Sequence, residues 1–230
     1  MFKINSFIWK GLDSYLDYQI IINRLPSLIK AERNVEEFEI PGRSGDITID
    51  YETYKPIIFT LECTVVDEDK MENIKSWLNG FSNLIFSWRS DKYYKAKMIN
   101  RIDISESMDS LGEFPLLFKC QPHAYSLRND IITLNAPGTI YNGGGSISKP
   151  IITIYGTGAI TLTINSINVI LTNVVEYVTI DSELMDAFKD SQLMNQFMAG
   201  EFPELIKGAN TISWVGTINK IEIIPNWRYL

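Results

Sequence analysis

The sequence predicts a mainly β protein of two domains, an N-terminal β-sheet or sandwich domain with one α-helix and a C-terminal antiparallel β-sandwich. Three observations carry this. Apolar and polar residues alternate over many short stretches, the period of a strand with one buried face. Within the first half a single segment, about residues 69–80, has convincing helical spacing instead. Charge is also unevenly spread: of 21 Lys+Arg and 28 Asp+Glu, 34 fall in the first 127 residues and 15 in the remaining 103. The division near Leu127 places the domains at about 1–127 and 128–230.

The elements follow in order. In the first half Phe59, Leu61, Cys63 and Val65 alternate with Thr60, Glu62 and Thr64, a half-buried strand. From Asp69 to Gly80, Met71, Ile74 and Leu78, followed by Phe81, recur at helical spacing. Asp67 to Asp69 supply an N-terminal cap and favourable dipole charge, and Gly80 a C-cap. This helix is expected to pack on a sheet. Strands follow at Leu84 to Trp88, Tyr94 to Ile104 and Phe114 to Gln121, the last reading as central because both its faces carry apolar residues.

The second half is rich in Ile, Thr, Val and Gly. Strands are predicted at Ile151 to Tyr155, Ala159 to Ile164, Ile167 to Leu171, Tyr177 to Ile180, Thr211 to Val215 and Lys220 to Ile224. Turns fall at Gly156-Thr157-Gly158, Asn165-Ser166 and Gly216-Thr217. Between Ser182 and Gly200 the apolar residues fit either an amphipathic helix capped by Ser182 or a hairpin turning at Lys189-Asp190-Ser191. Periodicity alone slightly favours the helix.

Composition narrows the chemistry. At 230 residues with 45% hydrophobic and 12% aromatic side chains, the chain can bury a core without metals or disulfides. No apolar stretch approaches the roughly 18–20 residues that span a bilayer, and the N-terminus lacks a signal-peptide core, so synthesis in a cytoplasm and no membrane insertion are expected. Cys63 and Cys120 lie far apart in apolar alternating stretches and read as reduced core thiols. A single histidine, His123, excludes multi-His metal sites and leaves one residue for any triad chemistry. The net charge of −7 and the lack of a basic block argue against nucleic-acid binding. The densest basic stretch, Arg89 to Lys97, reads as a hairpin end and the outer face of a strand.

Asn142-Gly143-Gly144-Gly145-Ser146 lacks the endings of phosphate-binding loops and reads as a turn. Glu176, Asp181, Glu183, Asp186, Glu201 and Glu204 are candidates for a carboxylate-dependent glycosidase, though solvated surface positions are the simpler reading. Trp214 and Trp227 are weak sugar-stacking candidates, with packing the simpler reading. Gly42, Arg43, Ser44 and Gly45 form either a hairpin tip or a contact loop, because Arg pairs bidentately with carboxylates and is enriched in interface cores. No residue is read as catalytic, and no cofactor or metal is expected.

These features in their order resemble the distal tail protein (Dit) family of siphovirus-type phage tails, over essentially the whole chain. The N-terminal match rests on Trp9-Lys10-Gly11, Pro41-Gly42-Arg43-Ser44-Gly45, the helix ending Trp77-Leu78-Asn79-Gly80, and Phe118-Lys119-Cys120-Gln121-Pro122-His123-Ala124-Tyr125. The C-terminal match rests on Asn142-Gly143-Gly144, Lys149-Pro150-Ile151, Gly200-Glu201-Phe202-Pro203, Gly208-Ala209-Asn210 and Ile223-Ile224-Pro225-Asn226-Trp227-Arg228. The resemblance tips Ser182 to Gly200 towards hairpin strands and implies that the C-terminal sandwich is galectin-like.

It further implies a virion protein of a phage or prophage, sited at the tail tip: a homo-oligomeric ring, usually a hexamer, built by N-terminal domains around a channel through which DNA only passes. The implied partners are the tail tube protein and the tail-associated or tail-tip protein, and the ring can carry receptor-binding proteins. Such a baseplate hub is structural and not an enzyme. The rival readings are a carbohydrate-binding β-sandwich module and another tail component such as a tube subunit.

Overall fold

The computed structural model describes residues 4–66, 71–100 and 112–230. The chain falls into two compact units, one ending at Leu127 and one spanning Arg128–Tyr229. Both are built from antiparallel strands, as the alternating apolar pattern requires.

The N-terminal unit contains β1 (Phe7–Trp9), β2 (Leu12–Asp13), β3 (Ile20–Ile22), β4 (Arg33–Glu39), β5 (Asp46–Tyr54), β6 (Ile57–Val65), α1 (Met71–Trp77), β7 (Phe81–Phe86), β8 (Lys92–Met98) and β9 (Gly112–Ser126). Its main sheet runs β2-β1-β7-β8-β9-β6-β3. The central pair is β6 with β9, in register from Ile57 opposite Cys120 to Val65 opposite Gly112. Phe59, Leu61 and Cys63 therefore share an inward face with Phe114, Leu116, Phe118 and Cys120, all buried. The strands β1 and β2 join through Lys10-Gly11, both at positive φ (51° and 81°), the geometry of a tight two-residue hairpin turn.

The helix packs on this sheet through Ile74 and Trp77. Phe7 stacks on Trp77 at 5.7 Å and meets Phe118 edge-on at 5.5 Å, and the indole N–H of Trp77 donates to the Trp9 carbonyl at 2.9 Å. The helix is shorter than its apolar spacing predicts: its last regular residue is Trp77, and Gly80 at φ +73° turns the chain into β7. The predicted cap at Asp67 to Asp69 lies outside the described residues. The strand predicted to end at Trp88 stops at Phe86 and gives way to a turn of 3-10 helix, Ser87–Arg89, in which Trp88 stacks on Phe86 at 4.7 Å. The strand β8 ends at Met98, and the predicted continuation beyond Asn100 lies outside the described residues.

The C-terminal unit contains β10 (Ile132–Leu134), β11 (Gly138–Asn142), β12 (Ile151–Ile164), β13 (Ile167–Val174), β14 (Tyr177–Asp181), β15 (Asp186–Lys189), β16 (Gln192–Leu193), β17 (Met198–Gly200) and β18 (Gly208–Ile224). Two long strands organise it. The first half of β12 pairs with β14 and with the end of β18, whereas its second half pairs with β13 and with the start of β18. Thus β12 and β18 pass from one layer of the sandwich to the other. Ile152, Ile154, Leu162, Ile164, Ile221 and Ile223 are buried along them.

This corrects the turns predicted at Gly156-Thr157-Gly158 and Gly216-Thr217. The chain bends there without reversing, and the pairing register shifts at Gly156 and between Thr157 and Thr161. Glycine is required by close approach: a Cβ on Gly156 would lie 2.3 Å from the Thr217 carbonyl oxygen, and one on Gly216 would lie 2.5 Å from that of Ala159. Asn165-Ser166 is a true two-residue turn, both residues at positive φ (49° and 73°).

From Ser182 to Gly200 the chain forms no α-helix, against the slight preference of its periodicity. Phe188 and Ala187 pair with Thr179 and Ile180 of β14, and the chain reverses at Asp190 (φ 52°) so that Lys189 faces Gln192. Backbone pairing to β14 supplies what an isolated helix would otherwise have to provide internally. The glycine-rich stretch is likewise structural. Asn142 ties it down, its carbonyl oxygen accepting from the Gly144 N–H and its amide donating to Ser146 and Leu205 carbonyls.

Candidate assembly surface

In the N-terminal unit β4 and β5 form a two-stranded ribbon separate from the main sheet. Its register pairs Glu36 with Ile49, Glu37 with Thr48, Phe38 with Ile47 and Glu39 with Asp46. Directly paired residues share a face, so the ribbon is amphipathic. One face carries Phe38, Ile47, Ile49 and Tyr51 with Glu36 among them, and the other carries Glu37, Glu39, Asp46 and Asp50 with Val35 and Thr48. Phe38 is 48% exposed, Ile49 44% and Tyr51 47%. A lone two-stranded ribbon is marginal in water, and one with an uncovered apolar face more so.

The root of the ribbon is fixed by charge. Arg33 Nε lies 2.9 Å from both oxygens of Asp50, and its guanidinium sits 5.2 Å from the centre of the Tyr54 ring. Tyr54 in turn meets His123 of β9 edge-on at 5.8 Å. The backbone N–H of Glu52 and the Arg33 guanidinium hold the Asp50 carboxyl below its ordinary range, while the carboxylate raises Arg33. Tyr51 donates to Glu36 at 2.8 Å, and this hydrogen bond raises the phenol.

The predicted contact residues Gly42, Arg43, Ser44 and Gly45 sit together in the exposed tip of this ribbon. Gly42 and Gly45 adopt φ +86° and +85°, which only glycine takes without strain, and the Arg43 N–H donates to the Ile40 carbonyl at 3.1 Å. The tip residues do not reveal the larger feature, the apolar face of the two strands that carry them. The signal was present as Phe38, Ile47, Ile49 and Tyr51 on strands flanking a turn, but alternation alone makes such residues a buried face.

The phage tail protein RIFT-related domain family matches residues 13–120, which span this ribbon and most of the main sheet. The distal tail protein of phage SPP1 superposes on the chain with a TM-score of 0.78 at 13% identity, over 99% of this chain and 100% of that one. That protein is described as a paradigm of the hub of the adsorption apparatus in phages infecting Gram-positive bacteria. The whole chain thus has the distal tail protein fold. No curated protein matches the sequence.

In the sandwich half of this distal tail protein fold, Trp214 and Trp227 are half-buried and pack against the core. The six glycosidase candidates are not one constellation. Glu176 pairs with Lys189 at 2.7 Å, Asp181 accepts from the Glu183 and Leu184 N–H groups, and Asp186 accepts from Asn195. Glu183 lies 3.8 Å from Arg228, and Glu201 and Glu204 line an open cavity of about 430 Å³ with Lys149. Among the described residues no cluster of three or more His, Cys, Asp or Glu is placed to hold a metal ion, and no helix is long and apolar enough to cross a membrane. Cys63 and Cys120 are buried free thiols, and burial pushes both up to about 12.

Proposed function

We propose that this chain is a structural, non-enzymatic hub of a phage tail. Its N-terminal units join as a ring, six copies in number, at the distal end of the tail tube, and its galectin-like sandwiches decorate that ring. The observation that carries this reading is the amphipathic ribbon of β4 and β5, whose apolar face has no cover among the described residues, in a molecule with the distal tail protein fold. Head-to-tail contact between identical copies closes into a ring when the rotation permits.

The hub reading supplies the partners: the tail tube protein on one side, a tail-associated or tail-tip protein on the other, with receptor-binding proteins carried around it. The site of action is the virion tail tip, after synthesis in the bacterial cytoplasm. Six copies at −7 each bring a formal −42, which suits a channel that DNA must traverse without adhering. The Gly42 to Gly45 tip is the proposed contact loop at the subunit boundary.

Light scattering on the purified full chain, with negative-stain images of the same peak, tests the reading. A hexamer with a central hole is expected. Open-ended stacks would replace it with a tube subunit, and a monomer at every concentration would remove self-assembly from the proposal.

A further inference from the structure

The cavity of about 430 Å³ in the C-terminal unit lies where β12 and β13 begin and where β14 and β17 end. Backbone pairing assembles it. The Ser182 N–H donates to the Pro150 carbonyl at 3.1 Å, and Ser148 and Leu205 exchange N–H···O bonds of 3.0 and 2.9 Å. Lys149 is thereby held between the end of β14 and the segment that carries Glu204. Gly200 pairs with Val169, which brings the next residues, Glu201 and Phe202, to the start of β13 at Ile167.

The polar side chains lining this cavity share one property: none has a partner among the described residues. Ser182 is 2% exposed, and its hydroxyl meets no hydrogen-bonding atom. Lys149 is half-buried, Glu201 and Glu204 are exposed, and no ion pair or side-chain hydrogen bond engages any of the three. Nearby charges of the same unit are paired, Glu222 with Lys220 at 2.6 Å and Glu176 with Lys189 at 2.7 Å. A buried hydroxyl is costly until something satisfies it. Apolar walls with a few convergent polar groups around about 300–1,000 Å³ are the form of a small-ligand site. Here the apolar walls are Phe202, half-buried, and Ile167.

The lining selects the ligand. Carboxylates only accept hydrogen bonds and an ammonium only donates, so a ligand that satisfies both must donate and accept, as hydroxyls do. Two carboxylates against one ammonium leave one negative charge in excess, which a ligand with one free amine cancels. We infer that this cavity binds an amino sugar unit of a glycan, its ammonium at Glu201 and Glu204, its hydroxyls at Ser182 and Lys149, and its C–H face on Phe202. The inference goes beyond the hub reading and does not require self-assembly, because every lining residue belongs to one C-terminal unit.

Calorimetric titration of the full chain at pH 6 with the glucosamine tetramer chitotetraose tests this, the N-acetylated tetramer serving as the uncharged comparison. One tetramer should bind per chain, and the N-acetylated form should bind about tenfold more weakly or worse, because its amide carries no charge. E201Q/E204Q should cost a similar factor and remove most of the salt dependence. S182A should weaken binding while leaving the denaturation midpoint unchanged or raised, since the hydroxyl it removes is unsatisfied in the free chain. No heat at millimolar tetramer, binding that survives E201Q/E204Q, or equal affinity for tetralysine would each overturn the assignment. Rings that form without binding the sugar sink this inference alone, and a monomer that binds it sinks the ring reading alone.

Discussion

Phe118 lies at 0% exposure between Phe7, which meets it edge-on, and Trp9, 5.0 Å away, so one ring ties β1 to the centre of the sheet. Removing it leaves a cavity that the rigid strands cannot close. Phe118→Ala is expected to cost about 3–5 kcal/mol of stability, read by chemical denaturation. Gly156→Ala acts in the opposite way, forcing a methyl onto a backbone oxygen 2.3 Å away; a loss of about 1–3 kcal/mol is expected from the same measurement. The thiols of Cys63 and Cys120 give a third residue-scale outcome. With both raised to about 12 by burial, the native protein should resist a thiol reagent at pH 8 and react at two sites once unfolded. Unfolded thiols ionise near pH 8.5, so their protonated burial favours the fold below that pH, and the contribution fades as pH rises towards about 12.

At the scale of the element, the β4–β5 ribbon is held at its root by Arg33 and Asp50. Asp50 is lowered in the folded state, so its contribution is present above its unfolded value near 4 and is lost as pH falls through the lower folded one. Acidification below pH 4 should therefore release the ribbon root before the main sheet. The check is NMR titration: the Asp50 carboxyl carbon and the Arg33 Nε should shift together as pH falls below 4, while amides of β6 and β9 remain protected. Element type was largely legible from the sequence. The strand phase of Phe59 to Val65, the existence of α1 and the Asn165-Ser166 turn all follow from period and turn chemistry. Element ends were less so, because α1 stops where Trp77 stacks on Phe7 and β7 gives way where Trp88 folds back onto Phe86.

At the scale of the whole molecule, assembly should respond to salt. Each copy carries a net charge of −7, so raising ionic strength from 0.05 to 0.5 M, which shortens the screening length from roughly 14 to roughly 4 Å, should weaken repulsion between copies and speed association. Stopped-flow mixing followed by light scattering measures this, and a rate indifferent to salt would leave the apolar contact alone in control. By itself the sequence determined the β class, the inward phase of each half-buried strand, the resemblance to distal tail proteins and the tip residues Gly42 to Gly45. Periodicity reports which side of a strand is apolar, and turn residues report where the backbone can take positive φ. Only the tertiary structure decided whether the chain bends or reverses at Gly156 and Gly216, whether Ser182 to Gly200 pairs as strands, and whether the apolar face of β4 and β5 meets the core or solvent. Those outcomes depend on hydrogen-bonding partners and packing surfaces supplied by residues distant along the chain: β18 for the bends, β14 for the hairpin, and for the ribbon no surface within the described chain at all.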